Sequence, residues 1–299
     1  MRRRLSASDG VELALNVSSA RHVVPSRNAD LIPIAGLVHF STADWPGMLV
    51  ATVFTQGCSW RCPYCHNPQL QDVRRGGAMA WSDVMEFLKS RENLLDGVVF
   101  SGGEPTRHRG LESAMAEVKE LGFAVGLHTN GMYPGRLRSV VGAGVVDWVG
   151  LDIKAGRDAY DVAIGRPACD SNDSSGNNTG SDLHRRRSAA DVVWQSVDLV
   201  QEWATNAPGC DFEVRTTLYD DYRIGASLPS LAKELAERGI GVVGGEGGAE
   251  GAGSWVLQRV REQGTTAEFR DVTSVGPHVN WDDVIAEVHQ ICPTVTVRQ

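Results

Sequence analysis

Three cysteines stand close together in the run Gly57-Cys58-Ser59-Trp60-Arg61-Cys62-Pro63-Tyr64-Cys65-His66-Asn67-Pro68, a CxxxCxxC spacing that offers three thiolates and no obvious fourth ligand. A structural zinc site takes four protein ligands in a tetrahedron, and an ordinary cubane iron-sulfur cluster takes four cysteines. Three thiolates without a fourth therefore point to a [4Fe-4S] cluster with one iron left open, and an open iron can hold a substrate. Two other readings use the same residues: a zinc site completed by His66 or a distant residue, and loop cysteines without a role.

More chemistry-bearing residues follow at intervals, each at the end of a short apolar run. Ser101-Gly102-Gly103-Glu104-Pro105-Thr106 follows Val98 to Phe100, and His128-Thr129-Asn130-Gly131 follows Ala124 to Leu127. Asp152-Ile153-Lys154 closes the run from Val145 to Ile153, and Arg215 lies within Phe212 to Leu218. With Leu49 to Phe54 before the cysteines and Ile240 to Val243 further on, these runs predict about six buried strands. Helical spacing fills the gaps: Val84, Phe87, Leu88 and Leu95 behind a Ser82 cap; Leu111, Ala114, Met115 and Val118 ended by Gly122; Val193, Val197, Val200 and Trp203; Leu228, Leu231 and Leu235 ended by Gly239. Strand-helix alternation implies right-handed crossovers and a parallel sheet, so the expected fold is α/β, an open or partial parallel β/α barrel. All the motifs would then face one side, at the carboxyl ends of the strands, where such folds keep their chemistry.

Composition bounds the remainder. The chain has 299 residues, 42% hydrophobic and 22% charged, enough for a large core. Its net charge of −8 excludes a general nucleic-acid binder, which needs a basic footprint. Six cysteines, three packed into one loop and Cys169, Cys210 and Cys292 scattered, suit a metal site in a reducing compartment, so a cytoplasmic location is expected. No apolar stretch reaches the roughly 18 to 20 residues of a membrane span, and Met1-Arg2-Arg3-Arg4 is not followed by the apolar core of a signal peptide. Residues 1–32 lack a clear period and read as an extension, with residues 33–270 as the core domain. A polar insertion at about 169–190 interrupts that core, residues 271–299 form a helix and strand tail packed on it, and the glycine-rich 244–253 reads as a loop.

The cysteine triplet together with SGGEPT resembles the radical S-adenosylmethionine (SAM) superfamily. Within it, the chain is most similar to activating enzymes of glycyl-radical proteins, above all the anaerobic ribonucleoside-triphosphate reductase activating family. The runs Ser41-Thr42-Ala43-Asp44-Trp45-Pro46-Gly47, Phe54-Thr55-Gln56-Gly57-Cys58, Thr129-Asn130-Gly131, Glu213-Val214-Arg215-Thr216-Thr217 and Trp255-Val256-Leu257-Gln258 carry that likeness over about residues 33 to 270.

The resemblance implies one [4Fe-4S] cluster on Cys58, Cys62 and Cys65, with SAM chelated at the fourth iron. It implies a glycyl-radical enzyme as partner, in particular anaerobic ribonucleotide reductase, and an electron donor such as flavodoxin or ferredoxin. Tyr64, Cys65 and His66 would border the adenine. Gly102 and Gly103 would let backbone approach the SAM amine, as glycine permits where a side chain would clash, with Glu104 beside them; a simple turn is the other reading. Asp152 and Lys154, with Ile153 between them, would contact ribose, the SAM carboxylate or a substrate peptide, or form a structural ion pair, and Lys154 is also a candidate catalytic residue. Arg215, a fork donor suited to a carboxylate, would meet SAM. Thr129 and Asn130 would line the pocket or cap a turn. One departure stands out: formate-lyase activating enzymes carry an acidic residue where this chain has His128, which speaks against a cation site of that type.

Overall fold

The computed structural model describes residues 28–166, 188–242, 253–261, 263–267, 269 and 277–298. The amino-terminal extension up to residue 27, most of the polar insertion and most of the glycine-rich segment lie outside the described residues.

One eight-stranded sheet forms the frame, in the order β1 (Ile34–Ser41), β2 (Val50–Thr55), β3 (Gly97–Gly102), β4 (Ala124–Thr129), β5 (Trp148–Asp152), β6 (Asp211–Leu218), β7 (Ser254–Arg259) and β8 (Thr296–Arg298). From β2 to β8 every pairing is parallel, and β1 runs antiparallel to β2. The sheet stays open, with β1 and β8 as its edges, as expected for a partial barrel. The inner strands read as continuous apolar runs because both of their faces are covered. Val98, Val99 and Phe100 of β3, Val125 and Leu127 of β4, and Val149 and Leu151 of β5 are all fully buried, each worth roughly 1.5–3 kcal/mol in apolar burial for the larger side chains.

Helices α1 (Trp81–Lys89), α2 (Leu111–Glu120), α3 (Pro134–Gly142), α4 (Tyr160–Ala163), α5 (Ala189–Asn206) and α6 (Tyr222–Ala236) connect the strands. The last helix, α7 (Trp281–Ile291), packs against α6 and leads into β8. Local chemistry sets several of these ends. Ser188 and Asp191 form a reciprocal capping box on α5, and the Asp221 side chain caps α6. Lys119 at the end of α2 meets both oxygens of Asp147 at 2.8 and 2.9 Å, while Asp147 also accepts from the Val125 N–H.

Four expectations need correction. Ile240 to Val243 is not a strand as far as it is described: Gly239 and Gly241 take left-handed φ values of 76° and 75°, which turn the chain. The strand next to β6 is Ser254–Arg259, and with β1 and β8 the sheet has eight strands rather than about six. Ser82 does not cap α1, because Ala80 is the capping position and buried Trp81, whose indole donates to Glu117 at 2.9 Å, starts the helix. Leu95 lies beyond that helix, in the turn before β3, yet still reaches the core.

Candidate functional site

Parallel pairing from β2 to β7 brings the loops after successive strands to one face, and there they enclose a cavity of about 240 Å³. The three cysteines after β2 line it, along with Tyr64, His66, Gly102, Gly103, Glu104, Thr129, Asn130, Asp152, Lys154 and Arg215. Ile153 does not: it is fully buried in the hydrophobic core, since it stands between Asp152 and Lys154 and faces the other way. Its part in the site is its backbone N–H, which donates to the Arg215 carbonyl at 2.9 Å.

The thiols sit among donors. Cys58 Sγ accepts from the Trp60 N–H at 3.4 Å and from Asn130 Nδ2 at 3.7 Å. Burial pushes the Cys58 thiol up to about 11 and the Cys62 thiol to about 12, and neighbouring thiols add to the rise in both. Such thiols stay protonated until a metal displaces the proton. Among the described residues, no group of three or more His, Cys, Asp or Glu side chains stands ready to grip a single metal ion. The three thiols line one cavity, a donor set whose chemistry suits an inorganic sulfur-bridged core with one corner left to another ligand.

Glycine at positions 102 and 103 is required by the protein's own backbone. Gly102 has φ +107°, and a Cβ there would come 2.6 Å from the Thr55 carbonyl oxygen. A Cβ on Gly103 would press on the Gly57 backbone, and the next N–H, that of Glu104, donates to the Gly57 carbonyl at 3.0 Å. The turn therefore locks β3 against the start of the cysteine loop while leaving backbone at the cavity surface. Glu104 itself is buried and accepts four hydrogen bonds: from the Thr106 N–H (3.0 Å) and Oγ1 (2.5 Å), from Thr129 Oγ1 (2.7 Å) and from the Asn130 N–H (2.7 Å). Burial raises its carboxyl above the ordinary range against the pull of those donors.

A charged set lines the same cavity. Asp152 Oδ2 meets Lys154 Nζ at 3.1 Å and Asp152 Oδ1 meets Arg215 Nε at 3.0 Å. Strand β5 ends at Asp152, so Lys154 stands just past it and folds back. Burial alone would raise the Asp152 carboxyl, but Arg215 and then Lys154 hold it far below the usual carboxylate range. Burial likewise opposes the Lys154 ammonium, and Asp152 more than restores it. His128 lies beside this set, with Nδ1 3.1 Å from Ser101 Oγ and Nε2 3.1 Å from Arg215 Nη1. Burial and then the Arg215 charge push its imidazole down to about 4, so at neutral pH the ring is uncharged.

Tyr64 is buried, with its ring 4.6 Å from that of Tyr219 and 5.8 Å from Lys154 Nζ. Among the described residues, the Tyr64 hydroxyl and the Trp60 indole N–H are buried without a partner, which leaves polar atoms of two lining residues for a ligand. His66 Nδ1 lies 3.3 Å from the Gln263 carbonyl, and burial lowers its pKa.

The cavity also includes residues given no role from the sequence, among them Asp44, Ser101, His128, Thr217 and Gln258. Thr217 could have been found by strand alternation, two residues beyond Arg215. Gln258 pairs with Thr217 in register, a relation that only the sheet reveals.

Residues 52–173 match the model of the Radical SAM superfamily. A Methanocaldococcus jannaschii protein provisionally named a glycyl-radical enzyme activating enzyme is 34% identical over 129 residues, 42% of this chain and 52% of that protein. An S-adenosylmethionine-dependent nucleotide dehydratase of a Thermoplasmatales archaeon is 33% identical over 110 residues, 36% of this chain and 38% of the relative. The matched region is thus about half or less of either relative's length. The solved structure of TYW1 with a lysine-pyruvate adduct bound superposes with a TM-score of 0.50 at 12% identity, covering 82% of this chain and 74% of that one. This last likeness concerns the fold alone.

Proposed function

From the premise that this chain carries a radical SAM domain and is an enzyme of that type, we propose that it is an activase that installs a glycyl radical on a partner enzyme, an anaerobic ribonucleotide reductase. The observation that carries the reading is the presence of three thiols and a cation-carboxylate set in the lining of one cavity. Cys58, Cys62 and Cys65 would hold a [4Fe-4S] cluster by three ligands, with SAM beside it. When bound, the two cofactors supply one electron and a carbon-sulfur bond whose cleavage yields methionine and a 5'-deoxyadenosyl radical able to take hydrogen from a glycine Cα.

The chain's own residues would bind and orient. Arg215 and Lys154 present positive charge to the SAM carboxylate, with Asp152 between them to hold both cations in place and accept from ribose hydroxyls. The backbone at Gly102 and Gly103 receives the SAM amine, Thr129 and Asn130 carry the wall to Cys58, and Tyr64, Cys65 and His66 border the adenine. His128, neutral, adds no further positive charge to those of Arg215 and Lys154. The electron donor would be a flavodoxin or ferredoxin, in a reducing cytoplasm. Among the described residues, no helix is long and apolar enough to cross a membrane.

The relative named a nucleotide dehydratase favours a second reading, a radical SAM enzyme acting on a small nucleotide. The test of the chemistry is 5'-deoxyadenosine release from SAM by anaerobically reconstituted, reduced protein. Release that disappears in Cys62→Ala is expected, and equal release from both proteins would overturn the reading. A glycine-centred EPR doublet on a co-incubated ribonucleotide reductase separates the activase from the nucleotide enzyme, which would give none.

A further inference from the structure

His128 meets two incompatible neighbours at one atom. Its Nε2 lies 2.7 Å from the backbone carbonyl oxygen of Asp44 and 3.1 Å from Nη1 of Arg215. A carbonyl only accepts and a guanidinium only donates, so one nitrogen cannot serve both at once. The ring is buried and uncharged at neutral pH, which leaves it a single ring hydrogen to place. With that hydrogen on Nε2, the ring donates to Asp44 and turns no acceptor toward Arg215. With it on Nδ1, Nε2 accepts from Arg215 and the Asp44 carbonyl loses its donor.

Ser101 makes both arrangements possible. Its hydroxyl lies 3.1 Å from Nδ1, and a hydroxyl can donate to a bare nitrogen or accept from a protonated one. The Asp44 side is fixed by other contacts: Asp44 Oδ2 accepts from Thr52 Oγ1 at 2.6 Å, and Trp45 stacks on Trp148 with ring centres 5.5 Å apart. The imidazole meets the same Trp148 edge-on at 5.6 Å. Arg215 is held at Nε by Asp152 at 3.0 Å, so Nη1 can change partner while the side chain stays anchored. His128 on β4 and Arg215 on β6 reach each other across β5, where a Cβ on Gly150 would stand 3.0 Å from both Arg215 Cζ and His128 Cδ2. Glycine there leaves the guanidinium room to lie against the ring.

Resting on the reading that the cavity takes SAM, we infer that His128 is a positioning residue for Arg215, accepting from its guanidinium before SAM binds and releasing it to the SAM carboxylate by moving the ring hydrogen to Nε2, where Asp44 accepts. The N–H bond at Nδ1 breaks and one at Nε2 forms, with water carrying the proton, so the ring stays neutral. Ser101 turns from acceptor to donor and serves both tautomers alike. Leaving a charged donor unmet costs more than leaving a neutral carbonyl unmet, so Arg215 has the first claim on Nε2 until a carboxylate replaces it. A neutral ring also gives up the guanidinium more readily than an acid would, since a charge-assisted bond is about twice as strong as a neutral one.

The experiment uses the reconstituted holoprotein with its cluster left oxidised, so that nothing turns over, and SAM as probe. Nitrogen-15 NMR of histidine-labelled protein reads the tautomer, the His128 signals being those absent from His128→Gln. The ring hydrogen should sit on Nδ1 without SAM and on Nε2 at saturation. Calorimetry gives the SAM affinity of the variants. His128→Phe, which keeps a ring against Trp148 but has no nitrogen, should bind SAM roughly tenfold more weakly, and His128→Gln, which can accept and donate, should recover most of that loss. The same tautomer with and without SAM would overturn the proposal, and so would His128→Phe binding SAM as the natural chain does, which would leave the ring a packing role only. Should a variant fail to fold, the tautomer in the natural chain still decides. If the natural chain with an intact cluster binds no SAM, the proposed function fails; a ring hydrogen on Nε2 in that protein then overturns the proposal too, while one on Nδ1 supports the hold on Arg215.

Discussion

Glu104 and Asp152 line the same cavity, from the ends of β3 and β5, and their surroundings treat them in opposite ways. Glu104 is 1% exposed and has neutral partners only, four donors from Thr106, Thr129 and Asn130. Those donors belong to the turn after β3 and to the end of β4 with the residue after it, so this carboxyl ties the two strand ends together. Asp152 keeps a 30% exposed side chain and two cationic partners, Arg215 and Lys154, whose side chains are 15% and 13% exposed. Its bonds can be exchanged for bonds to a ligand, whereas those of Glu104 cannot be broken without leaving buried donors unmet. The contrast separates a wall that shapes the cavity from a wall that can hold something in it.

The comparison breaks most readily at Glu104. Glu104→Ala strands several buried donors at once and should cost about 3–5 kcal/mol of stability, seen as a lowered Tm in calorimetry. Glu104→Gln, which keeps one acceptor oxygen, should recover part of this. Next in size, Arg215→Ala should weaken SAM binding by roughly tenfold or more, the worth of a charge-assisted hydrogen bond of about 1.5–3 kcal/mol. It should change Tm little, because Asp152 retains Lys154. An Arg215 variant that unfolds, or a Glu104 variant that keeps its Tm and loses only SAM, would erase the distinction.

Acid titration sharpens it further. The Asp152 carboxyl is depressed in the folded state, so its stabilisation is present above the ordinary value of about 3.9 and lost as pH falls below it. The Glu104 carboxyl is raised, so its contribution runs the other way, largest below about 4.3 and lost as pH rises through the folded value. In urea melts, Asp152→Asn should flatten the loss of stability below about pH 4, and Glu104→Gln should remove a decline on the side above. The smallest effect belongs to Ser101→Ala, which removes the 3.1 Å contact to His128 and should cost about 1 kcal/mol with SAM binding nearly unchanged.

How far the sequence could be read depends on how local each feature is. The cysteine loop, SGGEPT and the turn after β4 were legible because residues adjacent in the chain carry the chemistry. The inner strands were legible because two-sided burial demands unbroken apolar runs such as Val98 to Phe100. The edge strand β1 was not, since only its first two residues are buried and its sequence, Ile34–Ser41, lacks a clean alternation. Ile240 to Val243 misled because three apolar residues look alike in a strand and in a packed turn, and the left-handed Gly239 and Gly241 decide between them. The aromatic at Tyr64 could be read as a surface residue in a loop until Tyr219, far along the chain, covered it.

The order of residues alone determined which chemistry is available: three thiols without a fourth ligand, glycines that admit close backbone, and acids and bases at the ends of apolar runs. Tertiary structure decided what each charged group does, because hydrogen-bond partners come from separate strands. Glu104 finds Thr129 and Asn130 only when β3 and β4 pair, and Asp152 finds Arg215 only through the β5–β6 register that sets them side by side. A carboxylate's role follows from whether its neighbours are neutral donors or cations and whether water reaches it, and those are properties of the folded arrangement.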